Sequence, residues 1–351
     1  VRSLIVLDST IVLFLVQDAV INGAIYALVA IAIVLVFAVT RVILVPQGEF
    51  VAFAGLTVAA LEAGRVPPTL WLLVALGFLA AISSIAWHWR EMDARRLARV
   101  VASTLIVPLV LVALTRFVAP MKLGLIANAI LTLLLVVPMG PLIYRVAFEP
   151  LAEASVLVLL IASFGVHLSL VGLGLAFFGP EGVRTQALSE ANYNVGALIV
   201  TGQSMVVIAV TLVLLAALAL FFGLTLTGKA LRACASNRLG ARLVGIPTSV
   251  AGQVAFGMAA LIGAICGILI TPITAIYYDS GFLIGLKGFV AAIVGGLASY
   301  TITALAALGV GLVESFASFW WSTYKEVLVF TIILPVLVWR SFRSSHLEDE
   351  E

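Results

Sequence analysis

Apolar runs about as long as a membrane is thick recur along this chain, and they constrain its fold more than any other feature. About 20 apolar residues make a helix that crosses the hydrocarbon core of a bilayer. Runs of that kind follow one another from residue 11 to residue 339, separated by short polar breaks. Hydrophobic residues make up 63% of the chain and charged residues only 10%, against about 25% charged in an ordinary soluble domain. The expectation is an all-α polytopic transmembrane bundle.

About eleven membrane segments are expected by length and hydropathy. Their ranges are 11–39, 48–61, 70–88, 101–114, 123–144, 157–178, 196–226, 250–272, 286–299, 303–320 and 327–339. The short ones, bounded by Gly or Pro, read as tilted, broken or re-entrant helices. Between the seventh and eighth lies residues 227–247, with Lys229, Arg232, Arg238 and Arg242 and no acidic side chain. So many unopposed cations in one short loop place it on the cytoplasmic side. Ala and Leu at helical spacing predict helix there, divided at Gly240 and ended by Gly245 and Pro247.

Counting passes from that loop puts the C-terminus, with Arg340 and Arg343, in the cytoplasm and the N-terminus outside. The loop 89–100, with Arg90, Arg95, Arg96 and Arg99, also falls inside, and the turn-rich stretch 179–195 falls outside. Every strongly basic loop then obeys the same rule. Residues 1–340 read as one transmembrane domain, and the acidic tail 341–351 as disordered. The start lacks an apolar region followed by a small-residue cleavage site, so no removed signal peptide is expected.

Enzymatic chemistry finds little footing. The chain has no Walker A sequence and no nucleophile with a base placed to activate it. Its three histidines are dispersed, with no ligand spacing, so neither a metal nor a cofactor is expected. Cys234 and Cys266 sit in different parts of the topology and give no disulfide framework. Nothing points to a nucleic-acid partner.

Four polar residues in apolar surroundings are candidate path or gating groups. Glu49, at the start of a short segment, either lines a path, holds a broken helix by accepting backbone N–H groups, or sits at the interface beside Arg41. Glu314 either gates a path or belongs to a buried structural pair, for which Lys287 is one possible partner. Lys287 itself reads as an interfacial anchor. Asn22 is placed to hydrogen-bond between helices, and His167 reads as a satisfied interior histidine. Trp87, Trp89, Trp320 and Trp321, at segment ends, read as an interfacial belt.

The pattern Gly-x-Ala-Leu-Arg-Ala-x-Ala-x-Asn from Gly228, then Ala-Arg-Leu-x-Gly-Ile from Ala241, resembles the coupling loop of LivH-type permeases of branched-chain amino acid ABC importers. The resemblance extends to Asn22-Gly-Ala-Ile-Tyr-Ala-Leu, Gly48-Glu-Phe, Tyr144-Arg-Val-Ala-Phe-Glu-Pro-Leu, and Gly285-Leu-Lys-Gly-Phe-Val-Ala-Ala-Ile-Val-Gly-Gly. It departs at Gln47, where the family usually has His, at Glu149, where it has Arg, and after Gly296, where a Gly-rich continuation is missing. Residues 89–140 look like an inserted two-helix region. The resemblance implies a membrane path worked by alternating access, with Lys229, Arg232, Asn237, Arg238 and Arg242 coupling it to separate ABC ATP-binding subunits. It further implies a second related permease subunit, an extracytoplasmic substrate-binding protein, surrounding membrane lipid and a bacterial inner-membrane location. The competing reading is an ATPase-independent secondary transporter or channel, which calls for an intramembrane cluster of ionisable groups; Glu314 reads as too isolated to make one.

Overall fold

The computed structural model describes residues 9–88, 100–121, 124–195, 198–297, 299–336 and 338. The basic loop 89–99 and the tail 341–351 lie outside them. In chain order the elements are α1 (Ser9–Thr40), α2 (Gln47–Glu62), α3 (Thr69–His88), α4 (Val107–Val118), α5 (Leu125–Val136), α6 (Met139–Ile143), α7 (Val156–Phe178), a hairpin of β1 (Asn192–Val195) and β2 (Leu198–Thr201), α8 (Gly202–Leu224), α9 (Leu226–Ser236), α10 (Arg238–Leu243), α11 (Thr248–Ile270), α12 (Ser280–Val294), α13 (Tyr300–Trp320) and α14 (Lys325–Thr331). Among the described residues, eight helical spans are long and apolar enough to cross a membrane.

Position, not composition, separates the inner helices from the outer ones. α1 is apolar on every face, and such a helix belongs either in a core or in lipid. In the α1 span 89% of the most apolar window is buried by other helices, whereas in the still more apolar α8 the figure is 17%. α1 is therefore the central post, and α8 presents its flanks outward. The post is closely wrapped: Gly311 of α13 lies against Ala19 and Gly23, Gly23 against Leu308, and Gly288 of α12 against Val29. Glycine at these contacts lets backbones approach, which is how helices associate where lipid removes the usual hydrophobic drive.

The contacts also fix directions. Ser315 Oγ donates to Leu15 O at 2.8 Å, so α13 runs antiparallel to α1. Gln17 near the start of α1 donates to Ile199 O, and Gln203 at the start of α8 donates to Leu269 O at the end of α11. The hairpin, the start of α1 and the ends of α11 and α13 therefore share one end of the bundle. The other end carries α9, α10 and the starts of α11 and α13. α2 follows α11 in parallel, with Gly263 facing Gln47 and Phe50, Gly267 facing Val51 and Ala54, and Gly55 facing Thr271. It begins only at the level of Ala259, whose carbonyl accepts from Gln47 Nε2 at 3.0 Å, half-way along α11. Its 16 residues span about 24 Å, so α2 covers only the half of the bundle nearer the hairpin. α12, with 15 residues, starts where α2 starts and heads the opposite way, towards the start of α13, where Gly295 packs on Thr303.

Several boundaries differ from the sequence expectation. The seventh segment gives up its first residues to the hairpin and starts at Gly202, capped by Thr201, whose Oγ1 accepts from Ser204 N. The ninth runs 280–294 rather than 286–299, because Gly296 and Leu297 take positive φ values of 77° and 56° and stop it. The eleventh begins at Lys325, is interrupted by a turn at residue 332 and resumes as helix over residues 333–336.

Candidate functional site

Three polar constellations stand out, and each is built by local sequence. At the end of the bundle opposite the hairpin, α9 and α10 form a two-helix loop. Thr225 caps α9, its Oγ1 accepting from Gly228 N at 2.9 Å. The break falls at Asn237 and not at Gly240: Asn237 Oδ1 accepts from Gly240 N at 2.8 Å and caps α10. Asn is among the strongest N-cap residues, and that preference overrides the flexibility of Gly240. Gly245, at φ 85°, ends the helix.

The basic residues of this loop divide into two kinds. Lys229 and Arg232 are exposed and make no ion pair among the described residues. Arg238 Nη1 donates to Ala152 O at 2.9 Å, and Arg242 pairs with Glu153 at 3.0 Å, so both reach the neighbouring turn 149–154 of the same chain. Beside them α10 and its C-cap expose an apolar ridge of Leu239, Leu243 and Val244, at 68%, 81% and 77%. Cys234, on the buried face of α9, is a free thiol. Burial pushes its pKa up, with Arg238 opposing. The thiolate is the reactive form, so maleimide should modify Cys234 at neutral pH at least about tenfold more slowly in the folded protein than after unfolding in SDS. Equal rates would place the thiol outside the packed loop.

The second constellation is the meeting of the two half-length helices. A Cβ on Gly48 would fall 1.7 Å from Gly281 O, and one on Gly281 would fall 2.3 Å from Gly48 O, so the first turns of α2 and α12 lie backbone to backbone. Glu49, in the first turn of α2, is 1% exposed and lies 2.7 Å from His167 Nδ1 of α7. His167 stacks on Phe282, with ring centroids 4.5 Å apart. A carboxylate at a helix N-terminus is favoured by the helix dipole. Burial removes the interfacial alternative for Glu49. Its Oε2 and Gln47 Oε1 are buried without hydrogen-bond partners among the described residues.

The third constellation corrects the reading of Glu314 as isolated. Lys287 Nζ of α12 lies 2.6 Å from Glu314 Oε1 of α13 and 3.1 Å from Glu326 Oε1 of α14. Tyr26 of α1 donates to Glu314 Oε2 at 2.6 Å, and its ring centroid is 5.8 Å from the same ammonium. Lys287 is 6% exposed, so it is a buried tie and not an interfacial anchor. Four elements are joined through one cation.

This bundle, with its half-helices and basic two-helix loop, has relatives. Residues 102–337 match the family model described as branched-chain amino acid transport system / permease component. The chain belongs to this family. The high-affinity branched-chain amino acid transport system permease protein LivH of Escherichia coli is 27% identical over 333 residues, 90% of this chain and 89% of that one. LivH of Salmonella typhimurium is 28% identical over 330 residues with the same coverage, and BraD of Pseudomonas aeruginosa is 28% identical over 208 residues, 57% of this chain and 68% of its own. Among solved structures, PsaBC from Streptococcus pneumoniae in complex with Fab aligns over 91% of this chain at 12% identity with a TM-score of 0.36, too low to carry over a fold.

The permease is thus a multi-pass protein of the bacterial inner membrane and a transport subunit, not an enzyme. Of its candidate residues, Lys287 and Glu314 come together and Glu49 stands apart at the half-helix junction. Asn22 is half-buried, and its side chain makes no hydrogen bond among the described residues. Sequence reading missed Tyr26 and Glu326, whose roles depend on contacts 288 and 39 residues away. It also missed the ridge on α10, since Leu239 and Leu243 look like ordinary helix formers until the loop is folded.

Proposed function

We propose that this permease is the membrane-path subunit of an ABC importer for branched-chain or related apolar amino acids, worked by ATP-binding subunits on separate chains. The observation that carries the proposal is the ridge on α10: exposed Leu239, Leu243 and Val244, flanked by the unpaired cations Lys229 and Arg232, at the tip of a rigidly capped loop. Water is a poor place for three large apolar side chains on one short helix and its C-cap, and a partner groove is the natural cover. In this reading the loop end is cytoplasmic, as its cations require. The hairpin end faces the substrate-binding protein. Lys229 and Arg232 meet the ATPase, Asn237 holds α10 in shape, and Arg238 and Arg242 transmit its movement to the turn 149–154. A second permease subunit and lipid cover the outward flanks, and α4 and α5 of the inserted region form an added pair of helices.

Co-purification with the candidate ATP-binding subunits tests this. Leu239→Glu with Leu243→Glu should abolish capture of the ATPase at normal permease yield. Arg238→Glu with Arg242→Glu, which removes an exposed pair worth about 1 kcal/mol or less and one backbone contact, should retain capture while uptake falls. Capture undiminished by the leucine changes would refute the docking assignment.

The buried cluster of Lys287, Glu314 and Glu326 is the one feature that favours a second reading, a secondary transporter driven by ion coupling. Amino acid flux from vesicles containing the permease and no ATP-binding subunit would decide for it.

A further inference from the structure

Asp279 is a charge in an unexpected place. It stands two positions before Gly281, which touches Gly48 half-way along α11, and next to Tyr278, whose Cβ packs on Gly174 one turn inside the end of α7. It therefore lies within the thickness that α7 and α11 span and not at their rim. Yet its side chain is exposed and makes no hydrogen bond or ion pair among the described residues. It precedes α12 without capping it by its side chain, so helix initiation does not account for it.

A carboxylate facing hydrocarbon is so unfavourable that ionisable residues at this depth face water or protein. One turn deeper on the same side of α12 lies Leu283, 44% exposed, while Gly281, Ile284, Gly285 and Lys287 on the remaining surface are buried. The exposed strip of this half-helix thus offers a negative group and then an apolar one. It crosses the level of the junction between α2 and α12, where backbone order is broken, and irregular backbone at membrane depth is tolerated only against protein or a water-filled cavity.

We propose that the Asp279–Leu283 strip of α12 forms a wall of the aqueous path, and that Asp279 is the contact for the ammonium group of a small apolar zwitterion, with Leu283 beside its side chain. The inference deepens the importer reading and rests on it for the direction of transport. The face itself is open to test without any ATPase.

The test uses single cysteines at 279, 283 and 213 in full-length permease, with Cys234 and Cys266 replaced, in membrane vesicles. Val213, half-way along α8 and 69% exposed, is the lipid-facing control. Asp279→Cys and Leu283→Cys should react with a membrane-impermeant cationic methanethiosulfonate at least tenfold faster than Val213→Cys. In uptake assays Asp279→Asn should raise KM for leucine about tenfold with kcat nearly unchanged, and Asp279→Glu should recover most of the loss. A cysteine at 279 as slow as the control would show a face covered by lipid or by another subunit and overturn the proposal. A reactive cysteine with an unaltered KM in Asp279→Asn would overturn the ammonium contact. Loss of ATPase capture belongs to the docking assay and leaves the labelling result standing.

Discussion

Replacing Lys287 by Met should destabilise the permease by about 3–5 kcal/mol, the usual cost of stranding a buried charge. The ammonium is the only cation within reach of Glu314 and Glu326 among the described residues. Without it, two carboxylates face each other across α13 and α14, with a single Tyr26 hydroxyl for compensation. Glu314→Gln should be milder, about 1–3 kcal/mol, because Lys287 keeps Glu326 and the Gln carbonyl still accepts from Tyr26. Combining the two changes should bring stability nearer to that of Glu314→Gln alone, since the removed cation no longer leaves a buried anion on α13. Unfolding midpoints in detergent micelles read all three. Equal losses for the Lys287 and Glu314 variants would mean that Glu326 does not share the ammonium.

Gly48→Ala should cost about 3 kcal/mol or more, at the upper end of what overpacking produces. The new methyl would meet Gly281 O at 1.7 Å, and the obstacle is backbone on the first turn of a neighbouring helix, with no rotamer to change. Relief requires sliding α2 or α12, and α2 is pinned by Gln47 to Ala259 O and by Glu49 to His167. Gly165→Ala is the matched control: no atom lies within 4 Å of its added Cβ, and in a helix the change should be favourable by up to about 1 kcal/mol. Folded yield and thermal midpoint of the two variants give the comparison. A Gly48→Ala protein as stable as the Gly165→Ala protein would show that the half-helices do not touch.

Hydropathy made the long helices legible, because a run of 20 apolar residues has few alternatives in lipid. It also caught the short second segment through Pro46 and Gly48. It misplaced α12 because Ser280 and Gly281 look like loop, and only the backbone of α2 pressed against them explains why glycine begins a helix there. The basic loop was readable as two helices, but the side-chain cap at Asn237 outweighed the break expected at Gly240. Glu314 and Lys287 were visible as oddities; that they form one cluster with Tyr26 and Glu326 was not, since no local pattern joins α1 to α14. The two arginines of α10 were read from charge and from the loop's motif, and neither says whether the nearest acceptor, here Ala152 O and Glu153, belongs to the same chain.

The central post has a consequence for how the protein is made. Leu15 receives its hydrogen bond from Ser315, 300 residues later in the chain. At about 5–20 residues per second, roughly 15–60 s of translation separate the two. Until α11, α12 and α13 emerge, the innermost helix lacks the neighbours that cover most of it, and its glycine-lined contact at Gly23 is open to wrong helices. The first of the described helices to leave the ribosome is thus among the last to be enclosed, and biogenesis has to keep it in the bilayer, incompletely packed, for most of the time these residues take to be synthesised.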